Sequence, residues 1–229
     1  MISRYSLYTT ADLRDRFALA NGLPKGVKPH YNIHPTLRAP VIVNKNGQPV
    51  AEQMSWGLVP KGAKDTNSVF RYKTYNVPSE KILGKHSWAT AVRHTRCLVP
   101  ANGFYQLVEQ AGAKRAYYAT LKDTALFAFA GIYSSWEEAG ITRAMYSIIT
   151  SEAPQSLRHL GDRTPNILSQ NDEARWLDVS VSDASALFDM LRPLAGEQLY
   201  IHEVGADIHS PKLDTPNLIA PYSQAHKEL

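Results

Sequence analysis

The most constraining feature of this chain lies between residues 93 and 107. The apolar run Cys97-Leu98-Val99-Pro100 gives way to Asn102-Gly103 and resumes as Phe104-Tyr105. Strand-forming residues broken by Asn-Gly read as two strands meeting at a tight turn. Alternation along the second strand places Phe104 and Gln106 on one face. A polar amide beside an aromatic in a core strand needs hydrogen-bond partners, because burial without them is costly. Gln106 is therefore the first candidate site residue.

Around this stretch the pattern is α+β. Residues 1–8 alternate as a short strand. Thr9 with Asp12 three residues on resembles a capping box, and Leu13, Phe17 and Ala20 share one face, which predicts a helix over 10–20. Asn46-Gly47 marks a hairpin between 39–44 and 50–58, and 87–94 reads as a helical turn. After Gln106, turn signals at Gly112, Lys122-Thr124 and Glu137–Gly140 divide an antiparallel meander that closes toward a barrel. A helix through about His159, N-caps at Ser169 and Ser182, and a last strand over 198–204 complete the pattern. The expectation is one α+β domain over 1–221, a curved antiparallel, barrel-like sheet flanked by helices, with a frayed tail over 222–229.

With 229 residues and 44% hydrophobic content, the chain can close one core. The absence of a membrane-length apolar run or a basic-then-apolar start predicts a cytoplasmic protein that does not enter membranes. One cysteine excludes an internal disulfide or a multi-cysteine metal site. Cys97 lies in an apolar strand and reads as a small buried hydrophobe. No metal or cofactor is expected. The net charge of +4 is uneven: Lys61 to Arg96 holds eight basic residues against two acidic ones. Phe70, Tyr72, Tyr75 and Trp88 are interleaved with them, a mixture of phosphate-neutralising cations and stacking rings suited to single-stranded nucleic acid. A merely solvated basic loop is the other reading.

The run Arg96 to Gln106 resembles the Arg-Cys-Leu-Val-Pro-Ala-Asp-Gly-Phe-Tyr-Glu signature of the SOS-response-associated peptidase (SRAP) family, which processes abasic sites in single-stranded DNA. Tyr31-Asn32-Ile33-His34-Pro35 is similar to the family's Tyr-Asn-Val-Ala-Pro, and Trp56-Gly57-Leu58-Val59-Pro60 to its Trp-Gly-Leu-Ile-Pro. Asn76 and Glu80 match Asn-Ala-Arg-x-Glu, with Pro78 in place of the arginine. Gly161-Asp162-Arg163-Thr164-Pro165 is similar to His-x-Arg-Met-Pro, and Ser210–Pro221 to the closing segment in weakened form. The loop after Pro60 lacks tryptophans that some relatives carry, which leaves Phe70 or Tyr72 as the candidate wedge between bases.

The resemblance implies a nucleophilic N-terminal cysteine whose amine and thiol trap an abasic aldehyde as a thiazolidine, a glutamate and a histidine. These positions hold Ile2, Gln106 and Gly161, and a bulky second residue disfavours removal of Met1. Arg4, Asn32, Asn76 and Arg163 are implied as nucleic-acid contacts, with Asn76 and Gln106 as weak catalytic candidates. His159 is a substitute histidine if the segment before Gly161 is extended. The expected function is binding of single-stranded or abasic-site DNA in a DNA-damage response, with cross-linking and autopeptidase chemistry lost. Two alternatives stand beside it. One is a lyase using the Met1 amine, or a hydrolase with a recruited His34 or His159; the other is a non-enzymatic protein that binds a partner. Oligomeric state leaves no sequence signal.

Overall fold

Strand-forming runs account for most of the regular structure in the computed structural model, which describes residues 1–222 apart from Lys61, Lys64, Lys85, Ala111 and Ala139. The chain begins with β1 (Tyr5–Leu7), α1 (Leu13–Arg16), β2 (His30–Ile33), β3 (Arg38–Lys45) and β4 (Gln48–Trp56). Next come α2 (Ser68–Tyr72), β5 (Asn76–Pro78), α3 (His86–His94), β6 (Arg96–Ala101), β7 (Gly103–Gln110) and β8 (Ala113–Leu121). It continues through β9 (Phe127–Glu138), β10 (Ile141–Glu152), β11 (Arg163–Pro165), α4 (Gln170–Leu177), α5 (Ala184–Asp189) and β12 (Leu199–Val204).

Two sheets form. One runs β12-β8-β7-β1-β2; the other runs β11-β10-β4-β3-β6-β9, and β10 also pairs with β9, so that β10, β4, β3, β6 and β9 close into a ring. The barrel-like core expected from the turn pattern is thus present. Trp56, Phe129 and Tyr146 are fully buried in it. Tyr5, from the other sheet, meets Trp56 and Phe129 edge-on at 5.2 and 5.8 Å, and its hydroxyl lies 2.7 Å from that of Tyr146. The Asn46-Gly47 hairpin forms as expected, with φ of 53° and 81°, the doubly positive backbone that a two-residue hairpin turn requires.

Several expectations are corrected. β6 and β7 are not a hairpin: β6 pairs with β3 and β9, and β7 with β1 and β8, so the chain changes sheets at Asn102-Gly103. The cause is the Asn102 side chain. Its Oδ1 accepts from the amides of Tyr8 and Thr9 at 2.7 and 3.1 Å, and its Nδ2 donates to Thr9 Oγ1 and Ala125 O. Gly103 is required because a Cβ there would overlap the Tyr118 ring. The expected meander likewise changes sheets after β8, and β10 pairs in parallel with β4 and β5, so this sheet is mixed.

The helix expected over 10–20 is only a 3₁₀ turn (Thr10–Asp12) followed by α1. Thr9 makes no cap bond, since its hydroxyl receives Asn102, and Ala18 breaks the helix at a φ of 47°. Ser169 caps α4 as expected, while α5 is capped by Asp183 rather than Ser182. Tyr222 N donates to Glu203 O, so ordered pairing reaches Tyr222; 223–229 lie outside the described residues. No helix among the described residues is long and apolar enough to cross a membrane.

Because Asn102 is buried and holds both sheet-crossing segments, Asn102→Ala should lower unfolding stability by about 2–4 kcal/mol, as expected when several buried partners are left unpaired. Urea unfolding followed by circular dichroism measures this directly.

Candidate functional site

The N-terminal segment, β5, β7 and β11 converge at one end of the two sheets. Ile2 is fully buried in the hydrophobic core, and its carbonyl accepts from Asn76 Nδ2 at 2.6 Å. Asn76 is fixed in turn by β5, which pairs with β10 at Ile148. Its Oδ1 is buried without a partner among the described residues. Gln106 is 3% exposed, and its Nε2 donates to Arg163 O at 2.9 Å. The hydrogen-bonding reason for this buried amide is therefore the backbone of β11. Gly161 stands beside it: a Cβ at 161 would lie 3.7 Å from Gln106 Oε1, but the φ of +134° is one that L side chains rarely adopt. Positions 106 and 161 thus adjoin, and Asn76 ties position 2 to β5 beside them, so the three motif positions form one site.

Met1, rather than residue 2, presents its chemistry at this edge. Burial holds the α-amine below its usual pKa, and the Arg163 guanidinium adds to the effect. Asp162 opposes the shift and Lys73 reinforces it. The amine therefore sits in a predominantly cationic surrounding that favours its uncharged form.

Arg163 is oriented from two sides. Its Nε donates to Thr150 Oγ1 at 3.0 Å, and Nη2 donates to Thr150 O at 2.5 Å and to Glu80 Oε2 at 2.9 Å. Glu80 Oε1 also accepts from the Glu152 amide. Burial alone would raise the Glu80 carboxyl, but its hydrogen bonds and the Arg163 charge outweigh this and hold it below the ordinary glutamate range. Lys73 enters β5 through a left-handed turn with φ of 51°. On α2 just before it, Phe70 and Tyr72 are 51% and 60% exposed beside the exposed Arg71. Cations and bare rings therefore line this rim.

The other expected residues fall elsewhere. Arg4 donates from Nη2 to His209 O, and its Nη1 is buried with no partner among the described residues. Asn32 is 2% exposed and donates from Nδ2 to Ser210 O and Leu213 O, clamping the covering segment after β12. His34 is a half-buried loop residue whose Nδ1 lies 3.0 Å from Pro35 O. His159 belongs to a 3₁₀ helix over Gln155–Leu160, so the two-residue spacing that would have aligned it with position 161 does not apply. Its side chain is exposed, and its carbonyl accepts from Gln110 Nε2.

Trp56 is a core anchor whose Nε1 donates to Tyr75 O. Cys97 is buried, and burial pushes its thiol up, which makes it unreactive. Arg96 does not belong to the basic surface. It is 2% exposed and donates to the carbonyls of Val92, Arg93, Trp176 and Asp178. Lys61, Lys64 and Lys85 lie outside the described residues. Among the described residues no cluster of His, Cys, Asp or Glu is placed to hold a metal ion. Sequence reasoning missed Thr150, Asp162 and Lys73 as neighbours of the pocket. Their proximity depends on β10–β11 pairing and on the turn after α2, which local pattern does not reveal.

With this geometry in view, a family model described as SOS response associated peptidase (SRAP) matches residues 1–211. The chain belongs to the SRAP family. Abasic site processing protein YoaM of Bacillus subtilis is 30% identical over 224 residues, covering 96% of this chain and 97% of that protein. Abasic site processing protein HMCES of Gallus gallus is 29% identical over 226 residues, covering 85% of this chain and 66% of that protein. A crystal structure of a protein from Bacteroides thetaiotaomicron shares the fold, with a TM-score of 0.84 at 22% identity over 96% of this chain and 99% of that one.

This SRAP chain should resist simple restoration of the residue types implied by the family motifs. Gly161→His places a side chain on a left-handed backbone and should cost about 1–3 kcal/mol in thermal or urea unfolding. Gln106→Glu removes the donor to Arg163 O, and burial should raise the new carboxyl above its unfolded value. Its destabilisation should then be smallest below about pH 3, where the group is protonated in both states, and grow as pH rises from about 4.3 toward the raised folded pKa. Thermal melts across pH read this directly.

Proposed function

We propose that this SRAP protein binds single-stranded DNA at abasic sites, as part of a DNA-damage response, without the thiazolidine cross-link or peptide-bond cleavage. The observation that carries this reading is position 2. Its side chain is an isoleucine sealed in the core with its carbonyl held by Asn76, so no thiol stands at the pocket. Gln106 and Gly161 cannot exchange a proton at the two positions where the family motifs have Glu and His. Loss of a general acid or base typically forfeits roughly 10² to 10⁴ in rate, and loss of the nucleophile closes the covalent route.

Binding features are retained. Arg163 is held by Glu80 and Thr150 with Nη1 left without a partner among the described residues, and Arg71, Lys73, Phe70 and Tyr72 form an exposed rim. Cations that neutralise phosphates together with rings that stack on bases suit a single strand. The names of the relatives support an abasic lesion as the target. Arg4 and Asn76 complete the proposed contact set, and Asn32 contributes by holding the 210–214 segment in place.

Fluorescence anisotropy with single-stranded DNA, with and without an abasic site, tests this reading. Affinity should fall with salt, and Arg163→Ala should weaken it about tenfold while lowering the salt slope by about 0.7, the value for one lost single-strand phosphate contact. On a denaturing gel the wild-type protein should give no heat-stable shifted band. Such a band, or binding insensitive to salt, would overturn the reading.

The depressed Met1 amine favours a second reading, a labile abasic-site lyase. More of the amine is free base near neutral pH than for an ordinary α-amine of pKa about 8. The nitrogen would attack the aldehyde carbon, water would leave, and an imine would form. Borohydride would reduce that C=N bond to a stable amine, giving a trapped band that strengthens as pH rises through the lowered pKa. Absence of trapping across about pH 6 to 9 would remove this alternative.

A further inference from the structure

We infer that a basic cavity beside β2, lined by none of the residues that surround Met1, is a second binding site for a nucleotide phosphate. The cavity has a volume of about 420 Å³ and is bounded by the loop before β2 and the starts of β2 and β3. Lys25, Lys28, Arg38 and His30 line it, and no carboxylate does. His30 is paired through Nδ1 with Asp214 at 2.6 Å, and that carboxylate also accepts from the Tyr31 and Asn32 amides. The acid is thus committed behind the cavity. Lys25, Lys28 and Arg38 are exposed, with no ion pair among the described residues.

Local structure explains why these cations converge. Val27 N donates to Pro24 O across a turn in which Gly26 takes a φ of +81°, so Lys25 and Lys28 flank a tight bend. Arg38 is steadied by donating from Nη2 to Gln53 O. Such a site attracts an anion before it attracts anything else.

The remaining walls narrow the ligand class. Pro24 and Val27, both half-buried, offer an apolar surface for a flat ring. Gln53 also lines the cavity, and its Oε1 is buried without a hydrogen-bond partner among the described residues. An unpaired buried acceptor is costly, and a donor such as a base amino group would relieve it. Phosphate, flat ring and amino donor are together the chemistry of a nucleotide, and the volume falls in the range of small-molecule sites.

The phosphate could belong to a strand running past the first site or to a free nucleotide. Leu7 pairs with His30. Leu7 is six residues after Met1, and six residues span at most roughly 20 Å even when fully extended, so the strand that pairs with His30 begins close to the Met1 site. The strand source rests on the DNA-binding reading above; the free-nucleotide source does not.

The test is the double substitution Lys25→Ala/Lys28→Ala, together with Arg38→Ala, each checked for folding by circular dichroism. The pair Lys122→Ala/Arg192→Ala, which removes the same charge from residues lining a different cavity, is the control. Anisotropy is read with a tetranucleotide and a dodecanucleotide. Separately, 2′-deoxyadenosine 5′-monophosphate is titrated while backbone amide shifts are followed by NMR.

A strand source predicts that the double variant loses about fivefold or more in dodecanucleotide affinity, with a shallower salt slope, while tetranucleotide binding and the control pair stay unchanged. A free-nucleotide source predicts amide shifts at residues 25–28, 30 and 38, since Pro24 and Pro29 carry no amide proton, that vanish in the double variant and in Arg38→Ala. If neither effect appears, the site is refuted. If the wild-type protein binds no oligonucleotide at all, the DNA-binding reading fails, and the nucleotide titration alone decides this one.

Discussion

Closure of the barrel depends on β10 finding hydrogen-bond partners along both edges. It pairs with β9 from Ile141 to Ile148, with β4 at Met145 and Tyr146, with β5 at Ile148 to Thr150, and with β11 at Thr150 to Glu152. Buried backbone amides and carbonyls must be paired or the fold loses stability, and β9, although as long as β10, pairs with it only as far as Ile148. The short strands β5 and β11 take the place of a longer partner. They are also the elements that carry Asn76 and Arg163, so the pocket is assembled by the pairing that closes the barrel. Thr150 illustrates the coupling: it lies in the β10–β11 ladder and also orients the Arg163 guanidinium through its hydroxyl and carbonyl.

Within that frame the pocket keeps its geometry and lacks titratable groups at the positions that face one another. Gln106 and Gly161 adjoin, and Asn76 binds the backbone of residue 2. Burial and the neighbouring Arg163 and Lys73 hold the Met1 α-amine below its usual pKa, an electrostatic effect that needs no proton-transfer residue.

Charge has to be placed in three dimensions before it carries meaning. The run from Lys61 to Arg96 counts as strongly basic, yet Arg96 is turned inward to bind carbonyls beside Trp176. Arg71 and Lys73, in contrast, stand exposed beside bare aromatic rings. A second group of cations, spread along the sequence at Lys25, Lys28 and Arg38, is gathered into one cavity by the pairing of β2 with β1 and of β3 with β4.

The family motifs, the barrel-like α+β class, the Asn46-Gly47 hairpin and the Ser169 cap were all legible in the residues, because each depends on a local preference: backbone handedness at Asn-Gly, or a hydroxyl beside an unpaired amide. The altered identities at positions 2, 106 and 161 were equally plain from register with the motifs. Sequence alone did not separate β6 from β7, since Asn102 makes its deciding contacts with Tyr8, Thr9 and Ala125, far from it along the chain. It also could not show that Ile2 is sealed in the core, that Asn32 clamps a distant loop, or that His159 sits on a 3₁₀ turn. Those outcomes belong to the tertiary structure, where pairing between remote strands, and not local propensity, determines which side chains meet.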